Sequence, residues 1–327
     1  MPINPILVVG GAGYIGSHML LLLKQVGYKP IVLDNLSSGH RDAVLDAELI
    51  EGDLADKKLL KEIFSTRDIS AVMHFASHID VAESVSRPQR YYQNNVVNLI
   101  NLLDAMGEHG VKDIIFSSTA AVYGEPQAER IHEQHRLAPV NPYGRSKRMA
   151  EEIIMDYAAA GELNYAILRY FNAAGADPAG RVGERHTNES HLIPLLLQVA
   201  AGKKDAITIN GEDYPSADGT CTRDYIHVGD LCNAHFMALK AIQKGSGNLV
   251  LNLGTGKGYT VKQVISAVKR VTKCDITQKS GPKRVGDPAV LVADPELAKQ
   301  TLKWQPQHTD LDTIILHAWQ FEQKNKQ

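Results

Sequence analysis

The sequence predicts an α/β protein in which a doubly wound parallel sheet is followed by a smaller C-terminal α+β domain. Three observations lead to this prediction. Short apolar segments alternate with longer helical patterns through the first half of the chain. The first apolar segment runs directly into a glycine-rich turn, and the regular alternation stops after about Ala173.

The alternating segments of the first half set the predicted order of strands and helices. Strands are predicted at 6–9, 30–33, 71–75, 113–117 and 165–170. Helices are predicted between them, at 14–25, 57–64, 91–108 and 143–159. Because strands that alternate with helices form βαβ units, the sheet should be parallel and covered on both faces.

A domain boundary is predicted near residue 173, beyond which Gly, Pro, Asp and His become frequent. The expected domains are 1–173 and 174–327, with later elements, about 225–255, returning to the first domain. The remaining predicted elements are helices at 192–201, 230–242 and 261–271 and strands at 207–209 and 250–252.

Composition narrows the choice of partners. The 327 residues are 44% hydrophobic, and 35 Lys and Arg nearly balance 37 Asp and Glu, which favours neither nucleic acid nor a membrane surface as partner. The apolar segment 19–23 stops at Lys24 and is too short to span a bilayer. Because Cys221, Cys232 and Cys274 lack metal-ligand spacing, we expect no metal and a reduced, cytoplasmic setting.

The turn after the first predicted strand has the glycine spacing of a dinucleotide-binding site. Gly10, Gly13 and Gly16 are three residues apart, and Tyr14 and Ile15 begin the predicted helix. Such a turn lets the backbone approach a pyrophosphate at the helix N-terminus. Its position between a strand and a helix favours this interpretation over a glycine-rich turn that merely packs. The sheet is therefore predicted to be of the Rossmann type.

The carboxylate that follows the second predicted strand indicates which dinucleotide would bind. Asp34 can accept hydrogen bonds from both ribose hydroxyls and would repel a 2′-phosphate, so NAD is favoured over NADP. Without the glycine turn, an ordinary turn aspartate would explain it equally well. Asn35 is included in the predicted cofactor site. Asp53 and Leu54 are predicted to reach the adenine, although Gly-Asp is also common turn chemistry.

Tyr143 and Lys147 are four residues apart and should project from one face of a helix. The tyrosine is a candidate general base if its pKa falls from near 10 by about 3 units, roughly 4 kcal/mol. The lysine ammonium and a positive nicotinamide ring could supply this stabilisation. The same spacing arises by chance on many helices, but here it follows a dinucleotide turn. Thr119 could relay the substrate proton to Tyr143, or could serve only as a capping residue.

Motifs spread over nearly the whole chain are more specific together than any one alone. They are GGAGYIGSH (10–18), DNLSSGH (34–40), HFAS (74–77), YYQNNV (91–96), SSTAAVYGEP (117–126), NPYGRSK (141–147), LRYFNAAGA (168–176), HLIPLLLQVA (191–200), DGTCTRDYIHVGDL (218–231), NLGTGKGYTV (252–261) and RVGDPAVLVAD (284–294). On these motifs the chain resembles the extended short-chain dehydrogenases/reductases, and within them the nucleotide-sugar 4-epimerases. The resemblance implies NAD as cofactor, a UDP-sugar substrate and a homodimer that pairs helices 91–108 and 143–159.

The resemblance also assigns further residues. Those implied at the cofactor, with Tyr143 and Lys147, are Phe75, Ala76, Ser77, Asn94 and Phe171. Those implied at the UDP-sugar, with Thr119 and Tyr143, are Asn172, His191, Leu192, Asn210, Arg223, Arg284, Asp287 and Leu291. The two arginines would hold the diphosphate, because guanidinium groups suit its oxygens, although either could instead form a surface salt bridge.

Three positions depart from what some members of the family carry. Ile79 stands where some have a lysine that reaches the cofactor, and Asn210 where some have an aromatic residue against uracil. Leu291 occupies the position implied to limit the size of the sugar. Tyrosine there confines members to plain hexoses and smaller residues admit N-acetylhexosamines. Leucine is intermediate in size, so activity on UDP-N-acetylhexosamines stays an open alternative.

Ala120 and Ala121 distinguish among the reactions of this family. Related dehydratases carry Asp-Glu directly after the threonine, and a methyl group cannot exchange protons. What remains is inversion at the sugar C4 through a 4-keto intermediate, with transient hydride transfer to NAD and Tyr143 as base and acid. We therefore expect interconversion of UDP-glucose and UDP-galactose. The alternatives are a 4-epimerase of UDP-N-acetylglucosamine, a UDP-pentose or a UDP-uronate, and a non-catalytic NAD-binding protein.

Overall fold

Short apolar segments form strands, and amphipathic segments form helices, in a computed structural model that describes residues 5–161, 163–283 and 288–325. The strands are β1 Ile6–Val9, β2 Pro30–Asp34, β3 Glu48–Glu51, β4 Ala71–His74, β5 Asp113–Thr119, β6 Asn164–Tyr170, β7 Asn172–Ala174, β8 Ile207–Asn210, β9 Thr222–His227, β10 Leu249–Leu253, β11 Gly258–Thr260, β12 Gln278–Gly281 and β13 Val290–Leu291. The helices are α1 Tyr14–Gln25, α2 Lys57–Thr66, α3 Val81–Ser86, α4 Pro88–Tyr92, α5 Asn98–Glu108, α6 Pro142–Ala159, α7 Leu192–Ala200, α8 Val228–Gln243, α9 Val261–Thr272, α10 Glu296–Leu302 and α11 Leu311–Lys324.

One compact unit comprises Met1–Gly124, Arg136–Arg169 and Cys232–Leu251. Its sheet has the strand order β10-β6-β5-β4-β1-β2-β3 over the described residues. Parallel registers join β1 to β2 and β4, β2 to β3, and β4 to β5. β1, β2 and β4 are buried along their whole length, as strands covered on both faces must be. The predicted doubly wound Rossmann-type sheet is thereby confirmed.

The strand order reverses at β1, because the chain builds β2 and β3 on one side of it and then β4, β5 and β6 on the other. Ligands of doubly wound sheets bind at the carboxyl ends of the strands where this reversal occurs. The glycine turn follows β1, and Phe75 follows β4. Both predicted cofactor segments therefore lie at the switch point of the sheet.

Some element predictions were wrong in their bounds. The predicted helix 91–108 is divided into α4, a π-helical segment Gln93–Val97 and α5. The predicted strand 113–117 continues to Thr119 as β5. β3 was not predicted as a strand because it ends in exposed glutamates and holds only two apolar residues, Leu49 and Ile50.

The second compact unit comprises Glu125–His135, Tyr170–Leu231 and Asn252–Gln327. β9 pairs with β11, β13 and β7, while β8 pairs with β12. α7, α9 and α11 pack together around buried residues such as Leu196, Val268 and Ile314. The short strands β11 and β13 were not predicted, because two or three residues carry no periodic pattern.

The buried carboxylate of Asp224 organises the loops around β9. Its Oδ1 accepts the backbone N–H of Thr255 at 2.9 Å and the Thr255 hydroxyl at 2.7 Å. Its Oδ2 accepts the N–H groups of Gly256 and Ala293 at 2.9 and 3.2 Å. Burial raises the pKa of Asp224, and these donors counteract the shift. One side chain thus fixes the segments that precede β11 and follow β13.

Among the described residues, every helix is too short or too polar to cross a bilayer.

Candidate active site

The glycine turn after β1 depends on two glycines for its geometry. Gly10 has φ +80°, and a Cβ there would lie 2.5 Å from the Ala76 nitrogen. A Cβ on Gly16 would lie 2.2 Å from the carbonyl oxygen of Gly10. At Gly13 the nearest atom to an added Cβ is 3.4 Å away, so that face of the turn is open. No side chain caps α1 at Gly13, which leaves the first N–H groups of the helix for an anionic ligand.

Asp34 is held beside this turn by backbone donors. Its Oδ2 accepts the N–H of Ala12 at 2.9 Å, and its Oδ1 accepts the N–H of Leu36 at 2.8 Å. Burial raises the pKa of Asp34, and the two N–H groups pull it back. Each carboxylate oxygen keeps a lone pair for a ribose hydroxyl. Asp34 and the glycine turn, both predicted cofactor residues, are therefore brought together.

Asn35 and Asp53 also meet. The Asn35 amide donates to Asp53 Oδ2 at 2.6 Å, and the amide of Asn98 donates to Asp53 Oδ1 at 3.1 Å. Leu54 is buried, and its carbonyl oxygen accepts the amide of Asn101 at 3.1 Å. Asn98 and Asn101 were missed from the sequence. In the sequence they stand three residues apart among the apolar residues of the segment 97–103.

Phe75 and Ala76 both donate their N–H groups to the Val9 carbonyl oxygen, which holds them at the end of β1. Ser77 follows them, and its hydroxyl donates to the His78 carbonyl oxygen at 3.1 Å. The Phe75 ring lies 5.2 Å from the buried ring of His235, a residue that the sequence interpretation missed.

The π-helical segment places two consecutive asparagines. The Asn94 amide donates to Asn95 Oδ1 at 2.9 Å. The buried Asn95 donates to the carbonyl oxygen of His78 and to Ser146 Oγ, at 3.1 and 3.0 Å. Asn95 therefore joins the segment after β4 to the residue before Lys147. It was missed because an i→i+5 turn, not the regular helical repeat, directs it inward.

Tyr143 stands in the first turn of α6, which begins one residue before the predicted helix. Asn141 caps this helix by accepting the Gly144 N–H at 2.9 Å, and Pro142 occupies the first helical position. Gly144 permits close approach, because a Cβ there would lie 2.5 Å from the Ala121 carbonyl oxygen. Tyr143 shares a hydrogen bond with the Thr119 side chain. The two predicted catalytic hydroxyls thus meet directly.

Burial raises the pKa of Tyr143, and the hydrogen bond with Thr119 lowers it by less. The net direction is opposite to the fall that we expected for a general base. The free-energy cost of desolvating the phenolate exceeds the stabilisation that the neighbouring protein groups provide.

Lys147 is only 3% exposed, with its Nζ 4.3 Å from the centre of the Phe116 ring. Burial lowers its pKa to about 7, although the carboxylate of Glu151 one turn later raises it. Both Lys147 and Tyr143 therefore lie in surroundings that disfavour charge.

Glu151 and Arg169 form a fully buried ion pair behind Lys147. Arg169 Nε and Nη2 donate to the Glu151 carboxylate at 3.0 and 2.6 Å. Arg169 Nη1 donates to the Tyr123 hydroxyl at 3.1 Å, and the Ser118 hydroxyl donates to Glu151. Neither member of the pair was predicted. Arg169, a charged residue between the apolar run 166–168 and the aromatic residues Tyr170 and Phe171, was the available signal.

Apart from Thr119 and Tyr143, the described residues that the resemblance assigned to the UDP-sugar occupy several elements of the second unit. Asn172 begins β7, Asn210 ends β8, and Leu192 begins α7 directly after His191. Arg223 and Leu291 are brought together as partners in the β9–β13 register. Arg284 and Asp287 lie outside the described residues.

Phe171, assigned to the cofactor, is buried and donates its N–H to the Leu253 carbonyl oxygen at 3.2 Å. It precedes Asn172 at the start of β7. Like the residues assigned to the UDP-sugar, it lies in the second unit.

Comparison with known proteins gives concordant results. The model of the NAD dependent epimerase/dehydratase family matches residues 6–254. The UDP-glucose 4-epimerase of Halalkalibacterium halodurans is 49% identical, over 98% of this chain and 96% of that protein. The structure of UDP-glucose 4-epimerase from Brucella ovis in complex with NAD has a TM-score of 0.95 at 45% identity, covering 98% of this chain and 99% of that one. The Bifidobacterium longum UDP-glucose 4-epimerase, in complex with NAD+ and UDP, has a TM-score of 0.94 at 36% identity, covering 99% of both chains.

Replacement of Lys147 by methionine should stabilise the fold near neutral pH. Below about pH 7 the folded protein carries the full cost of a desolvated ammonium. Between pH 7 and 10.5 only the unfolded chain binds the proton, so the wild-type protein gains stability as the pH rises. The advantage of Lys147→Met should be a few kcal/mol at pH 6 to 7 (a rough figure) and vanish near pH 10.5. Urea unfolding at several pH values, without nucleotide, measures it.

Lys58→Met, at an exposed position of α2, is the matched control and should change stability by less than about 0.5 kcal/mol at every pH. A Lys147→Met protein less stable than wild type at pH 6 would show that the ammonium stabilises the fold.

Proposed function

The chain belongs to the NAD dependent epimerase/dehydratase family, and we propose that it is a UDP-glucose 4-epimerase, which interconverts UDP-glucose and UDP-galactose. It is an isomerase that uses NAD. The observation that carries the proposal is the half-buried Tyr143 beside the Thr119 side chain, one helical turn from Lys147. These groups belong to the unit that also holds the glycine turn.

The residues present fit NAD. The open face of the turn at Gly13 and the uncapped N-terminus of α1 suit the pyrophosphate. Asp34 would bind the adenosine ribose, and Asn35, Asp53 and Leu54 would line the adenine. The nicotinamide end would meet residues that follow the strands, namely Phe75, Ala76, Ser77, Asn94, Lys147 and Phe171. When bound, NAD would supply a group that reversibly accepts hydride from the sugar C4.

Tyr143 would take the proton from the sugar 4-hydroxyl and give it back after the ring has turned. Thr119 would hold that hydroxyl oxygen in line with Tyr143. Because burial raises the pKa of Tyr143, positive charge must offset the cost of its phenolate. The ammonium of Lys147 and the nicotinamide ring are the groups that would provide it.

The turn after Thr119 supports epimerisation rather than elimination. Ala120 and Ala121 form the 3₁₀ segment Ala120–Val122, and Ala120 is buried. Neither methyl group can donate or accept a proton, so loss of water from the 4-keto sugar has no acid or base at this place. Return of the hydride and the proton is the remaining step.

The second unit would bind the UDP-sugar. Arg223 supplies a guanidinium for the diphosphate, and its register partner Leu291 would bound the sugar. Further contacts are proposed for Asn172, His191, Leu192, Asn210, Arg284 and Asp287. The UDP held by the Bifidobacterium longum enzyme supports a uridine nucleotide as ligand.

A cytoplasmic setting is also proposed. Cys221, Cys232 and Cys274 are free thiols, which suits a reducing compartment. Cell fractionation with an antibody to the protein would test this, and recovery outside the cytoplasmic fraction would contradict it.

The protein as purified should convert UDP-galactose to UDP-glucose with no NAD added, and Tyr143→Phe should lower kcat about 10²–10⁴-fold because the proton acceptor is gone. Chromatography of the nucleotide sugars measures both. Bound NAD, released by denaturation and assayed, should be unchanged in the variant.

Tyr165→Phe, which removes a half-buried tyrosine hydroxyl from β6, is the matched control and should retain wild-type turnover. Near-normal turnover by Tyr143→Phe would exclude it as the base. No conversion of UDP-galactose by the wild-type protein, even with NAD supplied, would direct the assignment to a pentose or uronate substrate.

Leu291→Tyr should narrow the range of sugars. A phenol ring at this position fills space that an acetamido group would need, so the ratio of UDP-N-acetylgalactosamine to UDP-galactose turnover should fall at least about tenfold. Parallel assays of both substrates, with wild type and variant, measure the ratio. An unchanged ratio would show that residue 291 does not bound the sugar.

A homodimer formed through α5 and α6 is proposed from two exposed apolar side chains. Val97, directly before α5, is 43% exposed, and Met149 on α6 is 42% exposed. Sedimentation should therefore give twice the chain mass of 35.8 kDa, and Met149→Glu should shift the protein toward the monomer. A wild-type monomer at micromolar concentration would overturn the proposal.

A further inference from the structure

Four side chains from the loop before α7 converge in the second unit. His186 Nδ1 lies 3.4 Å from Glu184 Oε1 and 3.3 Å from Glu189 Oε2. His191 Nδ1 lies 3.7 Å from Glu189 Oε1 and also contacts Glu184 Oε1. The four ligand atoms, two imidazole nitrogens and two carboxylate oxygens, all lie within 4.8 Å of one another.

Both carboxylates of this cluster are withdrawn from solvent. The side chains of Glu184 and Glu189 are only 6% and 4% exposed. Glu189 is further fixed because its Oε1 accepts the backbone N–H groups of Ser190 and His191, at 2.7 and 2.8 Å. Buried carboxylates are paired or coordinate metal ions. His191, at 43% exposure, leaves one side of the cluster open to solvent.

We propose that Glu184, His186, Glu189 and His191 form a structural site for one divalent cation, with Zn²⁺ as the best match. Zinc binds imidazole and carboxylate at about 2.0–2.2 Å in a tetrahedron, which separates neighbouring ligand atoms by about 3.3–3.6 Å. His186 Nδ1 lies 3.3 Å from Glu189 Oε2 and 3.4 Å from Glu184 Oε1, and both separations are close to this value. Small side-chain rotations would bring the His191 imidazole to the same distance from the two carboxylates.

A second group of histidines is less suited to a metal. The Gly229 N–H donates to His227 Nδ1 at 3.0 Å, so the neutral ring carries its proton on Nε2. That Nε2 lies 3.0 Å from His317 Nδ1 and donates to it. The atom that would face a metal shared with His308 is therefore protonated. In the proposed site, two carboxylates supply negative charge for the cation, and the proton that each Nδ1 shares with a carboxylate would leave when the metal binds.

The cation would tie the loop 184–191 to the start of α7. All four ligands lie within eight consecutive residues and precede the first residue of that helix, Leu192. The site goes beyond the proposed epimerase activity, and it differs from the sequence expectation of no metal. A cation bound to the His191 imidazole would keep this side chain from contacting the UDP-sugar. Leu192 would then make the substrate contact proposed for this pair.

The first test uses the full wild-type chain, made without a histidine tag and stripped with a chelator. Titration with ZnCl₂ should saturate at about one equivalent per chain, with release of protons if the imidazoles are protonated beforehand. Loading with Co²⁺ should give the intense visible absorption of four-coordinate cobalt. Absence of saturable binding, or the weak spectrum of a six-coordinate ion, would overturn the proposal.

The second test compares Glu184→Gln and His186→Asn with His308→Asn, the matched control from the other histidine group. The first two should bind Zn²⁺ at least about tenfold more weakly, and the control should bind as wild type does. Loss of binding only in His308→Asn would assign the metal to the other group and overturn the proposal. Circular dichroism shows whether each variant folds. If a variant does not fold, the Co²⁺ spectrum of the wild-type protein decides whether the metal site exists. Metal content is read without turnover, so this test is independent of the epimerase assay.

Discussion

The buried ion pair between Glu151 and Arg169 is the interaction on which the end of the sheet that carries the proposed catalytic residues depends. Arg169 reaches from β6 to α6, and the Ser118 hydroxyl brings the end of β5 to the same carboxylate. Because both charges are withdrawn from water, removal of either partner would leave the other uncompensated, at a cost of about 3–5 kcal/mol. The pair therefore fixes the relative position of β5 and α6, which carry Thr119 and Tyr143. A hydrophobic pair of the same volume could hold these elements, but it could not place a carboxylate one turn from Lys147.

The Glu151 carboxylate limits how far burial can lower the pKa of Lys147. Burial lowers the pKa of Lys147 to about 7, and Glu151 acts in the opposite direction. Arg169 already neutralises Glu151, so the lysine receives only part of its charge. The fold thus maintains an ammonium near its titration point inside an apolar pocket, against the face of Phe116. A site of this kind lowers the stability of the fold. Such destabilisation is typical of functional sites, where the pKa of a charged group is shifted by its surroundings.

Much of this arrangement was predictable because local patterns determine it. β1, β2 and α1 follow from uninterrupted apolar runs and from a turn that only glycine can form, at Gly10 and Gly16. The pairing of Glu151 with Arg169 could not be predicted, because it joins a helix to a strand 18 residues later through a tertiary contact. Asn95 was hidden by the π-helical segment. The spacing E-x-H-x-x-E-x-H at 184–191 is visible in the sequence, but the expectation of no metal rested on the spacing of the cysteines, which carries no information about it.

The opposing effects on Tyr143 bear on how an epimerase controls its base. A phenol whose pKa is raised by burial is a poor base while only the protein surrounds it. Thr119 alone does not reverse the shift, and the charge of Lys147 is itself diminished by burial. If Tyr143 is the base, as proposed, the missing stabilisation would arrive with the bound cationic cofactor, and proton removal from the sugar would be favoured only when a hydride acceptor is present. This coupling would restrict removal of the sugar proton to complexes that contain the oxidised cofactor, and it follows from burial and charge alone.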